Sequence, residues 1–171
     1  SRVNTVVFDK TGTITEGRPA VTDLLHRGDA VTETAMLRLV ASLEQSSEHP
    51  LGEAIAAAAT ARGSTLVRAE AFDSVTGMGV VGVVDGHALA VGNAALMADH
   101  AIDVTPLQAQ VERWSSSGKT PVYVAVDGAL TGALAIADRI KPTSAAAVAA
   151  LRRMGIEVAM LTGDTQRTAE A

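Results

Sequence analysis

The chain has 171 residues, of which 47% are hydrophobic and none is cysteine, and its formal net charge is −5. This length suits one ordinary domain or two small ones, and the lack of thiols excludes disulfides and thiolate metal sites. An acidic balance without a run of Lys or Arg argues against nucleic acid as a partner. Aromatic platforms for stacked bases are also scarce, because there are only one Trp, one Tyr and two Phe.

The start of the chain and its short apolar runs indicate a soluble piece of a longer protein. We expect this piece to be monomeric. The longest apolar run, 54–59, is far shorter than the roughly 20 residues that cross a bilayer. The chain begins at Ser1 and enters a strand at once, without a basic and apolar leader. We therefore expect a segment cut from a larger chain.

The first third alternates short β-branched runs with helical periodicity. The last three of residues 4–8 are all apolar and do not alternate with polar residues. This predicts a strand that is covered on both faces. A second short strand is predicted over 20–25. Apolar residues three and four apart predict a helix over 32–47, and Pro50 opens another helix that ends at Gly63.

After residue 65 the period changes from helical to that of strands. Asp-Gly pairs at 85–86 and 127–128 lie between apolar runs, and they predict β-hairpins because this pair tolerates the positive φ of a tight turn. Asn93 can cap a short helix, and another helix is predicted over 105–116.

The last part returns to alternating helix and strand. A helix over 143–154 is stopped by Gly155, and a buried-type strand follows over 157–161. The ends thus predict an α/β domain with a parallel sheet, and the middle predicts an antiparallel sheet with helices on it, the pattern of an inserted domain. We place the outer domain at 1–18 and 132–171 and the inserted domain at 19–131.

Asp9 directly follows the first strand, where open α/β sheets place ligand-binding residues. A carboxylate there can attack a phosphorus centre only if a cation and N–H donors offset the negative charges. Lys10, a turn at Gly12 and nearby threonine hydroxyls can supply part of this, and Mg²⁺ the rest. Taken alone, Asp9 has a simpler interpretation as a strand-end residue that caps a turn.

The run Asp9-Lys10-Thr11-Gly12-Thr13 resembles the phosphorylation loop of the P-type ATPases, a branch of the haloacid dehalogenase superfamily. The resemblance implies an α/β fold in which a truncated haloacid-dehalogenase-like, Rossmannoid phosphorylation domain is interrupted by an α+β nucleotide-binding domain, whose antiparallel sheet is flanked by helices. Three further motifs match that family in the same order: Thr15-Glu16-Gly17, Asp138-Arg139-Ile140-Lys141-Pro142 and Met160-Leu161-Thr162-Gly163-Asp164.

This resemblance implies a role for each motif. Asp9 takes a phosphoryl group from ATP, and Asp9 and the Thr11 carbonyl hold Mg²⁺. Thr162 and Gly163 of the last motif bind the transferred group. The acidic residues Asp138 and Asp164 lie near the hinge and the nucleotide phosphates, and Lys10 completes the implied catalytic set.

Residues 47–51, Ser-Glu-His-Pro-Leu, look like the signature of the heavy-metal-transporting branch. In that branch the His, here His49, orients the adenine, and a Glu five positions earlier, here Glu44, lies in the same pocket. Glycines let a backbone approach a flat purine, and His49 offers a ring face and a nitrogen. The other residues that resemble this pocket are Gly77, Gly79, Gly92 and Asn93.

Each of these residues, taken alone, has a structural interpretation as well. His49 is then a residue at a helix start, Glu44 part of a solvated helix face, and Asn93 a helix cap. The glycines are turn or bulge glycines, Asp164 is an N-cap, and Asp138 forms a surface pair with Lys141. The joint order of the motifs is what favours the family interpretation.

Two other motif matches are rejected. Gly77-x-Gly79-x-x-Gly82 has the spacing of a dinucleotide fingerprint but runs into the first hairpin, where no helix N-terminus would take a pyrophosphate. Gly118-Lys119-Thr120 resembles the end of a P-loop. The earlier glycine that a P-loop requires is Arg113 here, and Pro121 starts a strand where a helix is needed.

Thr11 helps to separate two kinds of enzyme. Soluble phosphatases of the superfamily usually carry an Asp at this position, which protonates the leaving group and activates water. With Thr there, a phosphorylated Asp9 should persist and drive a conformational cycle. A soluble phosphohydrolase and a non-catalytic nucleotide-binding module stay open as alternatives.

The resemblance therefore implies the ATP-binding and phosphorylation region of a heavy-metal cation pump, with copper the commonest cargo of the branch. Its partners would be ATP or ADP and the membrane and actuator domains of its parent, on the cytoplasmic side of a membrane. Family members continue into a phosphate-binding Lys and a Gly-Asp-Gly-x-Asn-Asp loop, whereas this chain stops at Ala171. We expect this piece to bind nucleotide with little turnover, and its two-stranded outer sheet to be poorly stable alone.

Overall fold

The computed structural model describes residues 4–47 and 49–161. The strands in this part of the chain are β1 (Thr5–Asp9), β2 (Thr15–His26), β3 (Glu70–Val75), β4 (Gly79–Val84), β5 (His87–Gly92), β6 (Thr120–Val126), β7 (Ala129–Ile140) and β8 (Glu157–Leu161). The helices are α1 (Glu33–Glu44), α2 (Pro50–Ala61), α3 (Ala94–Asp99), α4 (Thr105–Ser116) and α5 (Pro142–Arg153).

The strands form two sheets that correspond to the two predicted kinds of structure. β1 and β8 pair in parallel, with Thr5 opposite Glu157 and Asp9 opposite Leu161. The other six strands form an antiparallel sheet in the order β2-β7-β6-β5-β4-β3. We call β1, β8 and α5 the parallel region, and β2 to β7 with α1 to α4 the antiparallel region. The predicted combination of a parallel outer sheet and an antiparallel inner one is confirmed.

A long ribbon of β2 and β7 connects the two regions. The strands pair from Thr15 opposite Ile140 to His26 opposite Gly132, with register shifts near the start of β2 and in its middle, between Val21 and Asp23. The strand predicted over 20–25 is present but longer than predicted, because β7 supplies hydrogen-bonding partners that extend β2 into the polar stretch before it. The proposed domain limits, after 18 and after 131, lie inside these two strands, and the division stays a prediction.

The antiparallel sheet buries a different set of side chains on each face. β7 shows why, since successive residues point to opposite faces: Leu134 joins the cluster under α1 and α2, and Ala135 joins the one under α3 and α4. The first cluster is aliphatic, and the second surrounds Trp114 and Tyr123. The core of the described chain is therefore one sheet covered by two helical layers.

The strands of the parallel region are more exposed than their sequences predict. β1 alternates between exposed and half-buried residues, and Val7 is 61% exposed. The residues of β8 from Glu157 to Met160 are exposed or half-buried. The prediction that both strands are buried on both faces was wrong for the described residues, in which this sheet has two strands.

The local turn and capping signals predicted most element boundaries well. At each Asp-Gly turn both residues have positive φ, 49° and 78° at 85–86 and 50° and 79° at 127–128, as two-residue hairpins require. α4 has the predicted bounds, and α5 lies within one residue of them. α1 is shorter than predicted because Ser46 and Ser47 donate backbone hydrogen bonds that turn the chain after Glu44. In the described part of the chain, no helix has the length and apolar character to span a bilayer.

Candidate functional site

A first cavity of about 350 Å³ lies between the end of α1, the start of α2 and the turn before β4. It brings together residues that are separated by up to 78 positions in the sequence, from Glu44 to Val122. The six predicted purine-site residues of this part of the chain all line it: Glu44, His49, Gly77, Gly79, Gly92 and Asn93.

Glu44 is buried in this cavity wall, with 7% of its surface exposed. The interpretation as a solvated helix face was therefore wrong. The sequence did carry a signal, because Met36, Val40 and Glu44 recur at intervals of four and share one face of α1, and the first two are fully buried. Burial raises the pKa of the Glu44 carboxyl from its ordinary 4.5 to about 7.

His49 caps the N-terminus of α2 while lining the first cavity. Its Nδ1 accepts a hydrogen bond from the Leu51 backbone N–H at 3.2 Å, and Pro50 occupies the first turn, where a missing N–H is harmless. Because Nδ1 accepts, a neutral imidazole carries its proton on Nε2. The helix-start interpretation is correct, and the same bond fixes the tautomer that the ring offers.

Gly79 and Gly92 lie opposite each other where the antiparallel strands β4 and β5 pair at close range. A Cβ on Gly79 would collide with the Val91 carbonyl, and one on Gly92 with the Met78 carbonyl. Gly79 also has a φ of +147°, which L side chains rarely adopt. The close approach of the two strands alone therefore requires these glycines. As a consequence, backbone without side chains lines this part of the cavity.

Asn93 fixes the rim of the first cavity through hydrogen bonds in three directions. Its Oδ1 accepts from the Leu96 N–H at 3.1 Å and caps α3, and its Nδ2 donates to the Gly77 carbonyl at 2.9 Å. Its backbone N–H donates to the Met78 carbonyl at 2.8 Å. The prediction of a helix cap is confirmed, and Asn93 shapes the turn around Gly77, whose φ is +72°.

A second cavity, of about 370 Å³, adjoins the first and reaches the loop after β1. Leu51 and Thr120 line both cavities. Lys10 and Thr11 line the second one, and Asp9, exposed at the end of β1, directly precedes them. The two cavities therefore adjoin at Leu51 and Thr120, and together they extend from Glu44 and His49 to the predicted phosphorylation loop.

Sequence reasoning did not place Thr120 or Leu51 in a site. The segment Gly118-Lys119-Thr120 leads into β6 rather than a helix, so the rejection of a P-loop is confirmed. The rejection of the dinucleotide fingerprint is also confirmed, because that segment enters the β4–β5 hairpin. Gly118 and Thr120 nevertheless line the second cavity. The available signal was weak, because only the fold of β6 beside β7 brings this turn to the cleft.

The loop from Lys10 to Ile14 is held by backbone and side-chain contacts. Thr11 is extended, with φ −73° and ψ 122°, and Gly12 reverses the chain with φ +76°. The Lys141 Nζ donates to the Gly12 carbonyl at 2.6 Å, and the Ser144 hydroxyl donates to the Ile14 carbonyl at 2.8 Å. The interpretation of Lys141 as the surface partner of Asp138 was therefore wrong, since its ammonium stabilises the loop.

Asp138 lines the second cavity and ties the start of β2 to β7. Its Oδ2 accepts from the Thr15 hydroxyl at 2.5 Å and from the Gly17 N–H at 3.1 Å, and its Oδ1 accepts from the Arg18 N–H at 3.0 Å. Thr15 is buried and also bonds the Lys10 carbonyl. The carboxylate thus holds the connection between the two regions, and a contact to nucleotide phosphates stays a prediction.

The donor set after β1 suits a hard cation. The Asp9 carboxylate and the Thr11 carbonyl are oxygen ligands of the type that Mg²⁺ prefers, and this ion commonly takes water and phosphate oxygens as further ligands. Within 4–47 and 49–161, no cluster of three or more acidic or His side chains could hold a metal by itself. Thr162, Gly163 and Asp164 lie outside the described residues, and their predicted roles stay predictions.

Comparison with known proteins agrees with this arrangement. The chain is 48% identical over its whole length to a copper-transporting P-type ATPase of Rhizobium leguminosarum bv. viciae, of which it spans 20%. Its fold matches a zinc-transporting PIB-type ATPase in the E2.Pi state, with TM-score 0.85 and 31% identity over 99% of this chain and 27% of that one. The N-domain of HMA6, a copper-transporting P-type ATPase, matches 70% of this chain and 99% of its own length, with TM-score 0.58 and 28% identity.

These matches confirm the resemblance to heavy-metal-transporting P-type ATPases that the motifs indicated, with the chain spanning about a fifth of the curated relative. The haloacid dehalogenase-like hydrolase family matches residues 3–171. The chain therefore belongs to the haloacid dehalogenase-like hydrolases.

Proposed function

We propose that this chain is the ATP-binding and phosphorylation region of a heavy-metal-transporting P-type ATPase, in which ATP phosphorylates Asp9. One observation carries the proposal: the two cavities share Leu51 and Thr120, so that the predicted purine residues line a cavity directly beside the one that Lys10 and Thr11 line. A nucleotide has this layout, with a flat base at one end and phosphates at the other.

The first cavity would hold the base. It combines a bare backbone floor at Gly79 and Gly92 with two side chains that can form hydrogen bonds, Glu44 and His49. Ligand sites of this kind are mostly apolar, with few polar groups that set orientation. The neutral imidazole would present its Nε2–H, because Nδ1 is engaged by the Leu51 N–H.

The second cavity would hold the phosphates against the loop after β1. In the transfer step a carboxylate oxygen of Asp9 forms a bond to the γ-phosphorus while the bond from that phosphorus to the β–γ bridging oxygen breaks, and ADP leaves. Lys10 lines this cavity and offers positive charge to the phosphates. Bound Mg²⁺, held by Asp9 and the Thr11 carbonyl, would offset the negative charge that both reactants carry.

Thr11 would make the phosphorylated state last. Its hydroxyl is a far weaker base than the carboxylate that phosphatases of the superfamily place there, so water at the acyl phosphate is poorly activated. This chemistry fits an enzyme that stores free energy in a covalent intermediate. It also favours the pump over a soluble phosphohydrolase.

The cargo and partners belong to the parent protein. We propose copper as the transported ion, on the strength of the relative from Rhizobium, and the membrane and actuator domains of the parent as the partners of this chain. The region would lie on the cytoplasmic side of the membrane, where ATP is available. The division into 1–18, 19–131 and 132–171 is part of this proposal.

The full-length parent protein provides the test. With γ-labelled ATP, the wild type should retain acid-stable label that hydroxylamine removes, and Asp9→Asn should retain none while still binding ATP. Asp73→Asn, on the exposed side of β3, is the matched control and should label normally. Metal-stimulated hydrolysis that continues in Asp9→Asn would overturn the proposal, and ester hydrolysis without metal stimulation would favour the phosphohydrolase.

A further inference from the structure

The Glu44 carboxyl has an unusual position in the first cavity. Glu44 ends α1 and only 7% of the residue is exposed, yet its side chain lines the cavity. α2 passes directly over it: a Cβ added to Gly52 would lie 2.9 Å from the Glu44 carbonyl oxygen and 3.0 Å from its Oε2. The carboxyl group thus packs against the first turn of α2 and borders the cavity where we place the base.

No group in the described residues holds this carboxyl as an anion. Its side chain has no hydrogen-bond or ion-pair partner among them, and the cavity lining contains no Lys or Arg. His49 is the other titratable side chain in that lining, and its Nδ1 is already engaged by the Leu51 N–H.

The charges on the surrounding elements are directed elsewhere. On α1, Glu33 pairs with Arg62, and Arg38 pairs with Asp85. Lys119, just before β6, pairs with Asp23 at 2.5 Å. His87 of β5 pairs with Asp127. The other charged residues on α2, α3 and β3 are exposed acids, which do not favour a second anion: Glu53, Asp99, Glu70 and Asp73.

Burial is accordingly the cause that raises the pKa of Glu44 to about 7. A buried carboxyl without a compensating cation or donor favours its neutral form. In the empty cavity at neutral pH and below, Glu44 therefore carries a proton to a substantial extent.

Protonation changes what this side chain can recognise. A carboxylic acid presents one O–H donor and one carbonyl acceptor side by side, whereas a carboxylate presents two acceptors. Adenine offers an acceptor ring nitrogen beside its N6 amino donor, which complements the acid. Guanine offers the N1–H and N2 amino donors side by side, which complement the carboxylate.

We infer that Glu44 contacts the purine in its protonated, carboxylic acid form. The proton would then select adenine over guanine in this cavity. The inference rests on the proposed function, because it takes a purine nucleotide to be the ligand of the first cavity. It adds a prediction that the proposed function does not contain: base selectivity depends on pH. Retention of the proton favours ATP, and its loss favours GTP.

The experiment measures ATP and GTP affinity of the 171-residue chain by calorimetry between pH 6 and 8.5. In the wild type the ratio of ATP to GTP affinity should fall as pH rises through 7, by up to about tenfold per unit, the limit for one linked proton. Glu44→Gln keeps a donor beside an acceptor but cannot ionise. Its ratio should stay high and change little with pH.

Two further measurements separate the outcomes. Glu53→Gln removes an exposed acid outside the cavity and should behave as wild type, which controls for titration of the nucleotide phosphates. If Glu44→Gln fails to fold, titrations of the wild type with ATP at pH 8 in two buffers of different ionisation enthalpy still show whether binding takes up a proton.

The results distinguish this inference from the function it rests on. A wild-type ratio that is constant over the pH range while both nucleotides bind overturns the role of the Glu44 proton and leaves the nucleotide site standing. Failure of either nucleotide to bind at millimolar concentration at any pH overturns the site itself. ATP binding at pH 8 without proton uptake also overturns the inference.

Discussion

The antiparallel and parallel regions differ in how completely they bury their own apolar side chains. The four exposed large hydrophobic residues among the described side chains belong to the parallel region or to the adjoining end of β7: Val7, Ile140, Met154 and Met160. All the members of the two core clusters lie within 36–136, in the antiparallel region. The antiparallel region thus contains its own core, whereas the described part of the parallel region leaves apolar surface uncovered.

This difference separates two parts of the proposed function. The cavity proposed for the base lies on a scaffold that is stabilised by its own core, so that its shape is set before a ligand arrives. The predicted phosphorylation loop is instead held by a few hydrogen bonds, such as those that Lys141 and Ser144 donate to the Gly12 and Ile14 carbonyls. Substitutions in the two regions should therefore have effects of different size and kind.

The largest expected effect is in the core of the antiparallel region. Leu134, fully buried in β7, when changed to Ala should lower the free energy of unfolding by about 2–5 kcal/mol, because the change removes buried methyl groups and leaves a cavity. Denaturant unfolding followed by Trp114 fluorescence measures it. Met154→Ala, at a site 73% exposed, should cost less than about 0.5 kcal/mol; equal losses would abolish the contrast between the regions.

Glu44 should make the antiparallel region less stable as pH rises. Since the pKa of Glu44 is about 7 in the folded chain against an ordinary 4.5, the folded state binds the proton more tightly, and stability falls from about pH 4.5 until both states are ionised above 7. Glu44→Gln should remove this fall and raise the free energy of unfolding at pH 8 by on the order of 1–3 kcal/mol. At pH 4 the two proteins should differ little.

The same denaturation series with Glu53→Gln provides the control for Glu44. That substitution also removes one acid but leaves the cavity unchanged, so its pH dependence should follow the wild type. A wild-type stability that does not fall between pH 5 and 8 relative to Glu44→Gln would contradict the burial argument.

Asp138→Asn tests the connection between the regions. The amide nitrogen cannot accept hydrogen bonds, so the change loses acceptors for the Thr15 hydroxyl and the Gly17 N–H or for the Arg18 N–H, at a local cost of about 1–3 kcal/mol. Hydrogen exchange of the Gly17 and Arg18 amides should accelerate, while amides of β5 keep their protection. Equal acceleration in both strands would show that the ribbon and the core open as one unit.

The smallest effect is expected at the surface of the antiparallel region. Arg38 pairs with Asp85 at 2.5 Å, with both side chains partly exposed. Arg38→Ala should change the free energy of unfolding by no more than about 1 kcal/mol, and 0.5 M salt should reduce the difference, because exposed ion pairs contribute little. A loss as large as that of Leu134→Ala would mean that ion pairs, rather than buried apolar area, stabilise this region.

Much of the site was predictable because its motifs are local. The Ser-Glu-His-Pro-Leu run, three glycines and Asn93 were identified from their resemblance to motifs of the heavy-metal-transporting branch, and the residues named for the purine site line one cavity. The burial of Glu44 could have been predicted as well, from the repeat of Met36 and Val40 on the same face. The contact of Lys141 with the Gly12 carbonyl could not, because the residues are 129 positions apart and no periodicity relates them.

The amino-acid sequence by itself determined the turns, the caps, most helix bounds and the pairing of an α/β framework with an antiparallel insert, and it identified the residues proposed for the purine site. These follow from interactions among residues close in the chain, such as the Asp-Gly turns and the His49 and Asn93 caps. Only the tertiary structure decided the length of β2, the role of Asp138 and the joining of two cavities at Leu51 and Thr120. Each of those depends on contacts between distant segments, whose free energy is gained only when the whole sheet is assembled.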